Sequence, residues 1–447
     1  MARIFIIGNG ISGVTAARHI RKLSNHDITI ISSESTHFFS RTALMYVYMG
    51  HMRLKDIKPY EDEFWKKNRI ELLHDSVIGI EFTSKSLSLE SGLNLHYDQL
   101  ILAIGSIPNK MGWPGQDLKG VSGLYHLKDL DMMEQYSTNC SRAVIVGGGL
   151  IGIEMAEMFH SRHIPVTLVV REKEYWYNIL PPEEATMISR HIHEHNIDLK
   201  LNCELTEILD NGHGEAGGVI LSTGEQIECN YVGLTVGVKP NIEFLKKTAL
   251  ETDRGILVNE QLETNIADVY AIGDCAQLKY PLSGRKPIEA IWYTGRMMGE
   301  TVAYNICKKP VSYNPGIWFN SAKFLDIEYQ VYGFVPSKIQ SPFNSFYWEH
   351  PDGKKSIRLV FNIETSEILG FNLMGIRFRQ EVCEKWILKK TGLNDVVQNI
   401  RLAFFDPEFY KNHEVSFVES YNQQFNQQII LNKNKTLNHV FKFLTQK

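Results

Sequence analysis

ARIFIIGNGISGVTAARHI, residues 2–20, joins three patterns in one short run. A β-branched apolar stretch comes first, then Gly-x-Gly-x-x-Gly, then apolar residues at helical spacing. Strand, tight turn and helix are the expected products. The same order recurs in RAVIVGGGLIGIEMAEMF, residues 142–159. Each copy runs on into another β-branched stretch, DITIIS at 27–32 and PVTLVV at 165–170. Strand–helix–strand alternation predicts parallel βαβ units. The chain is therefore expected to hold two dinucleotide-binding units, with first glycines at Gly8 and Gly147.

In the first unit Gly8 allows the tight turn out of the strand. Gly10 lets the backbone approach a pyrophosphate, and Gly13 lets helix and strand pack closely. The helix start offers N–H groups and positive partial charge to the phosphates. Gly147, Gly149 and Gly152 repeat these roles. A carboxylate for the adenosine ribose is expected where the second strand of each unit ends. The first unit offers Glu34, just past Ser32-Ser33. In the second, Val170 stands at that place and Arg171 follows. An arginine without the acid favours a 2′-phosphate, hence NADPH over NADH.

The chain has 447 residues, enough for two or three domains. Its net charge is −4, with no basic block of the kind that binds nucleic acid. The six cysteines are scattered and form no CxxC, so neither a metal knuckle nor a local redox dithiol is expected. That spacing suits a reducing cytoplasm. The first strand begins so early that no signal peptide is expected, and no apolar run is long enough to span a membrane.

Between the two units, residues 74–109 alternate with period two and feed a buried strand, LILAIG. Mostly strands follow the second unit, then a helix from about Ile291 to Cys307. SRHIHEHNI, residues 189–197, ends a helix that starts at Pro181-Pro182. Its His191 and His195 share a face, but no third ligand is near in sequence, so no metal is expected. From Pro315 the texture becomes aromatic-rich and alternating, which marks a further domain. The last stretch ends in the short amphipathic TLNHVFKFLTQK.

Further motifs resemble those of the pyridine nucleotide-disulfide oxidoreductase superfamily. LETNIADVYAIGDCA, residues 262–276, resembles its second FAD signature. LILAIGSIPN, residues 100–109, resembles its Ala-x-Gly-x-x-Pro turn. LTVGVKPN, residues 234–241, resembles the strand–turn leading back to the FAD domain. The resemblance implies an α/β fold with two Rossmann-like dinucleotide-binding domains plus a C-terminal α+β interface domain. The segments would be 1–111 and 239–314 for FAD, 112–238 for NAD(P)H, and 315–447 for the interface, which implies a homodimer. It implies FAD at the first glycine turn, with Ile11, Ser12, Ser40, Arg41, Val77, Ala103, Gly105, Gly237, Gly273, Asp274 and Trp292 alongside. At the second turn Leu150 and Ile151 would join the glycines against NADPH or NADH.

The branch is decided by FFSRTALMYVYMG, residues 38–50. Disulfide reductases carry a cysteine pair near here, and the coenzyme A disulfide reductase and NADH oxidase branch carries one cysteine. Thr42 stands at that place and cannot cycle through thiolate or sulfenate. Phe39, Arg41, Leu44 and Gly50 are similar to the Tyr-x-Arg-Pro-x-Leu form of rubredoxin and ferredoxin reductases and nitrite reductase flavin domains. That resemblance puts Arg41 by the FAD pyrophosphate or flavin edge and Glu154 at the nicotinamide. Met45 and Tyr46 depart from it, since a serine and sometimes a lysine that pairs with the glutamate stand there. The implied activity is hydride transfer from NAD(P)H to FAD, then electron transfer to an iron–sulfur or rubredoxin-like carrier. Quinone, oxygen or a nitrite-reductase-type acceptor is the alternative. A flavin-bound protein that switches shape with redox state is the reading from another class.

Overall fold

The β-branched runs bracketing each glycine turn form adjacent parallel strands. The computed structural model describes residues 1–405, 413–432 and 437–445. The chain divides into two compact units. The first comprises Met1–Gly112, Gly120–Asn139 and Leu234–Pro315. The second comprises Trp113–Lys119, Cys140–Gly233 and Gly316–Lys447.

In the first unit five parallel strands run in the order Val269–Ala271, Gln99–Leu102, Arg3–Ile7, Asp27–Ser32 and Ile70–His74. Ile4, Ile6, Ile30 and Ile101 are fully buried in it. Such near-continuous apolar strands are what a parallel sheet covered on both faces requires. Helix Ile11–Leu23 lies against helix Trp292–Ile306. The contact is close because Gly295 and Gly299 carry no side chain. A Cβ on Gly299 would lie 2.5 Å from the Ser12 carbonyl oxygen. Residues 77–96 form a three-stranded antiparallel meander, as the period-two alternation predicts.

In the second unit Ala143–Val146, Val166–Val169 and Asp198–Lys200 pair in parallel. Helix Leu150–Ser161 follows the glycine turn. The predicted proline-started helix spans Pro182–Glu194, and Asn196 takes the left-handed conformation beyond its end. The aromatic-rich region forms a five-stranded antiparallel sheet over Phe319–Met374. Helices Gln380–Leu388 and Glu414–Phe425 cover one core of Phe346, Phe371, Trp386 and Phe417. The amphipathic end forms helix Leu437–Thr445; residues 436, 446 and 447 lie outside the described residues.

His191 and His195 do have a third candidate ligand, Asp326, contributed by the hairpin turn between Phe319–Phe324 and Ile327–Gly333.

Candidate active site

The first glycine turn is held in place by backbone contacts. Gly8 has φ +111°, and its N–H donates to the Ile31 carbonyl at 2.8 Å. A Cβ on Gly13 would sit 2.1 Å from the Gly8 carbonyl oxygen, so only glycine allows helix and turn to meet. Around Gly10 nothing lies within 4 Å of an added Cβ. No side chain caps helix Ile11–Leu23, whose N-cap is Gly10. The space beside Gly10 and the uncapped N–H groups of Ile11, Ser12 and Gly13 fit a pyrophosphate. Buried Asn9 donates from Nδ2 to the Ser35 carbonyl at 2.7 Å, which fastens the loop carrying Glu34 to this turn.

Glu34 and Arg41 are joined. Arg41 reaches the two Glu34 carboxylate oxygens at 3.1 and 2.6 Å and donates to the Tyr125 carbonyl. Its guanidinium lies 4.6 Å from the Tyr125 ring and 5.2 Å from Phe39. The Leu127 N–H also donates to Glu34 at 3.0 Å. Burial alone would raise the Glu34 carboxyl, but His126, Arg41 and that N–H hold it down at about 2. Asp274 accepts from Ser106 Oγ at 3.0 Å, and burial pushes its carboxyl up despite Ser106 and Arg41. Gly105 has φ +66° and packs under the Tyr125 hydroxyl, to which the Ser106 N–H donates. Gly273 has φ +73°, and a Cβ there would strike Ser12 Oγ at 2.4 Å. Ala103, Gly105, Ser12, Glu34, Arg41, Gly273 and Asp274 are thus linked around one turn. Gly237 sits further along, where its carbonyl accepts from the Asn109 N–H. Val77 is partly buried on the meander, and Trp292 is the first residue of its helix. Ser40 Oγ lies 3.3 Å from Thr42 Oγ1.

Tyr125, His126 and Ser106 were not anticipated. Tyr125 is 84 residues from Arg41 in sequence, and no local period links them.

The segment after Arg41 folds as a short 3-10 turn, Arg41–Ala43, and helix Leu44–Tyr48. Thr42 is exposed on that turn, whereas Met45 is core. Cys275 adjoins Asp274, but burial pushes its thiol up to about 12, so it carries no thiolate at neutral pH.

In the second unit the Gly147 N–H donates to the Val169 carbonyl at 2.9 Å, the counterpart of Gly8 to Ile31. Helix Leu150–Ser161 starts at Gly149 without a side-chain cap, presenting Leu150, Ile151 and Gly152. Counting from the matched carbonyls, Glu34 is three residues past Ile31 and Glu172 is three past Val169. Val170 and Arg171 lie between Val169 and Glu172. The second strand ends at Val169, one residue earlier than its apolar run suggests. Glu172 Oε2 lies 3.8 Å from where a Gly148 Cβ would be. Arg171 is 70 % exposed, with Nε 3.0 Å from Glu172 Oε1.

Burial, and then neighbouring Glu157, pushes the Glu154 carboxyl up to about 7. The folded chain keeps that proton well above the usual 4.5, so rising pH destabilises it between those values. Glu154→Gln should therefore be more stable than the parent at pH 8, by about 3 kcal/mol at most. The gain should vanish toward pH 4.5. Urea denaturation at the two pH values checks this, and a gain independent of pH would contradict it.

A family model described as pyridine nucleotide-disulphide oxidoreductase matches residues 2–299, which is more than half of the chain. The chain belongs to this family. Members of this family use FAD and NAD(P)H. Nitrite reductase [NAD(P)H] of Bacillus subtilis is 28% identical over 62% of this chain, which spans only 34% of that relative. Rubredoxin-NAD(+) reductase of Ectopseudomonas oleovorans is 28% identical, covering 70% of this chain and 83% of its own. The crystal structure of a ferredoxin reductase from Rhodopseudomonas palustris superposes with a TM-score of 0.76 at 23% identity. It covers 83% of this chain and 91% of its own, and shows the shared fold. The family name mentions a disulphide, yet all six cysteines here are free thiols.

Proposed function

We propose that this chain is an FAD-dependent NADH oxidoreductase that passes electrons to a small iron–sulfur or rubredoxin-like carrier in a reducing cytoplasm. The observation that carries it is the site around the first glycine turn, which offers a phosphate cradle and a bound Arg41–Glu34 pair but Thr42 in place of a thiol. FAD, when bound, supplies the hydride-accepting ring and the one-electron chemistry. The chain's own residues bind and orient. The N–H groups at Ile11–Gly13 would hold the phosphates and Asp274 with Ser106 the polyol region, while Arg41 is kept in position by Glu34 and Tyr125. Glu154, on the helix that follows the second turn, would meet the nicotinamide. The rubredoxin reductase relative, covered over most of its length, supports a protein carrier over oxygen or quinone.

The reductant follows from Glu172. A carboxylate at the ribose position binds the 2′-hydroxyl and repels a 2′-phosphate. Like charges placed together cost several kcal/mol, so NADH should be preferred over NADPH by at least about tenfold in kcat/KM. Glu172→Ala, which releases Arg171, should narrow or reverse that ratio. Anaerobic titration with each nucleotide, followed by rubredoxin, ferredoxin, nitrite, quinone and oxygen, tests both statements. A flavin reduced faster by NADPH would sink the role of Glu172. A reduced flavin that no acceptor reoxidises, or a chain that takes up no FAD, would sink the reductase.

A further inference from the structure

Three ligating side chains meet away from the glycine turns, in the second unit. His191 and His195 project from one face of helix Pro182–Glu194. Asp326 sits in a two-residue turn closed by the Phe324–Ile327 pair, with Leu325 at φ +56°. One ligand atom from each lies within 4.8 Å of the others.

Hydrogen bonds on the far side of each ring occupy Nδ1. His195 Nδ1 lies 3.0 Å from the His191 carbonyl, which can only accept, so Nδ1 carries the hydrogen. His191 Nδ1 lies 3.3 Å from the Glu194 carboxylate, with the same consequence. Both Nε2 atoms face Asp326 Oδ1, His195 at 3.4 Å and His191 closer. These groups call for a positive charge between them, supplied by a proton on an imidazole Nε2 or by a metal ion. Lys354 cannot supply it, because its Nζ lies 3.5 Å from the other oxygen, Oδ2. A backbone carbonyl and a carboxylate on the outer ring nitrogens are also the usual supports of metal-bound histidines. Zinc–nitrogen bonds of about 2.0–2.1 Å give tetrahedral edges of about 3.3 Å, which matches the His195–Asp326 separation; His191 and Asp326 stand closer than such an edge and would part to admit the ion. His191 is 2 % exposed and Asp326 57 %, so the cluster is anchored inside and open to water outside.

We propose that His191 Nε2, His195 Nε2 and the Asp326 carboxylate bind one divalent cation of the zinc class, with water completing the shell. Nitrogen-rich ligation selects zinc, cobalt or nickel over magnesium or calcium. The ion would fasten helix Pro182–Glu194 to the Phe319–Gly333 hairpin, so its signature is stability as well as binding.

The test uses the full chain loaded with FAD, stripped by chelator and titrated with Co²⁺ and then Zn²⁺. One Co²⁺ per chain should bind with a visible d–d spectrum that Zn²⁺ removes, and Zn²⁺ should raise Tm. Asp326→Asn and His195→Gln should each lower affinity at least about 100-fold, and Glu194→Ala about tenfold. His193→Gln, on an exposed face, should bind as the parent does. The flavin spectrum of each variant reports that it has folded. No Co²⁺ spectrum, or binding unchanged in Asp326→Asn and His195→Gln, would overturn the proposal and leave a His–Asp ion pair only.

Discussion

Gly8→Ala should give a colourless chain that neither retains nor takes up FAD. At φ +111° the backbone is one that an alanine rarely adopts, and its Cβ would lie 2.1 Å from the Ala103 carbonyl oxygen. That obstacle is backbone. Ala103 is itself fixed, because its N–H donates to the Ile7 carbonyl at 2.9 Å. Relief requires parting the first strand from the strand that leads to Gly105 and Ser106. A loss of at least about 3 kcal/mol is expected, the scale of combined strain and overpacking. Gly10→Ala is the informative contrast. Its φ is −68° and an added Cβ meets nothing, so apo stability should change by under about 1 kcal/mol. The new methyl instead occupies the space left for the pyrophosphate, so FAD affinity should fall steeply. Denaturation of the apo chains, with FAD uptake followed by absorbance, separates the two glycines. A Gly10→Ala chain that binds FAD as the parent does would remove the phosphate role of that turn.

These glycines were legible because their spacing encodes a local event. A strand must turn within a few residues, and the side chains that block the turn are near in sequence. The parallel pairing of residues 3–7 with 27–32 followed from the same local pattern. What was hidden lies at long range. The partners of Arg41, Glu34 and Tyr125, and His126 beside Glu34, are seen only in the fold. Glu172 draws no notice in the sequence because Val169 and Val170 before it are both apolar. The Gly147 to Val169 hydrogen bond, which matches Gly8 to Ile31, puts Glu172 level with Glu34 and is seen only in the fold. His191 lacks a third ligand in sequence because Asp326 is 135 residues away. Periodicity reports which face of an element is buried, and says nothing of which distant residue meets it.

Removal of one buried cation should cost more than any surface change. Glu184 is fully buried on helix Pro182–Glu194, and Arg358, 3 % exposed on strand Ser356–Asn362, holds it bidentately with both contacts at 2.7 Å. Arg358 also donates to Glu183 and to Ser345 Oγ, each at 2.7 Å, and its guanidinium lies 4.6 Å from the Tyr347 ring. Asn372 Nδ2 donates to Glu184 at 3.0 Å. Arg358→Ala leaves the buried Glu184 carboxylate, among the described residues, with the Asn372 amide to answer its charge. Breaking such a pair from one side costs about 3–5 kcal/mol. The double variant Arg358→Met with Glu184→Leu removes both charges and keeps most of the volume. It should recover most of that loss, because the desolvation of two ions no longer has to be offset. Urea denaturation of the parent, the single and the double variant closes the comparison. A single variant within about 1 kcal/mol of the parent would mean that Glu184 takes up a proton or water without strain, and that the pair does not fasten the helix to the sheet.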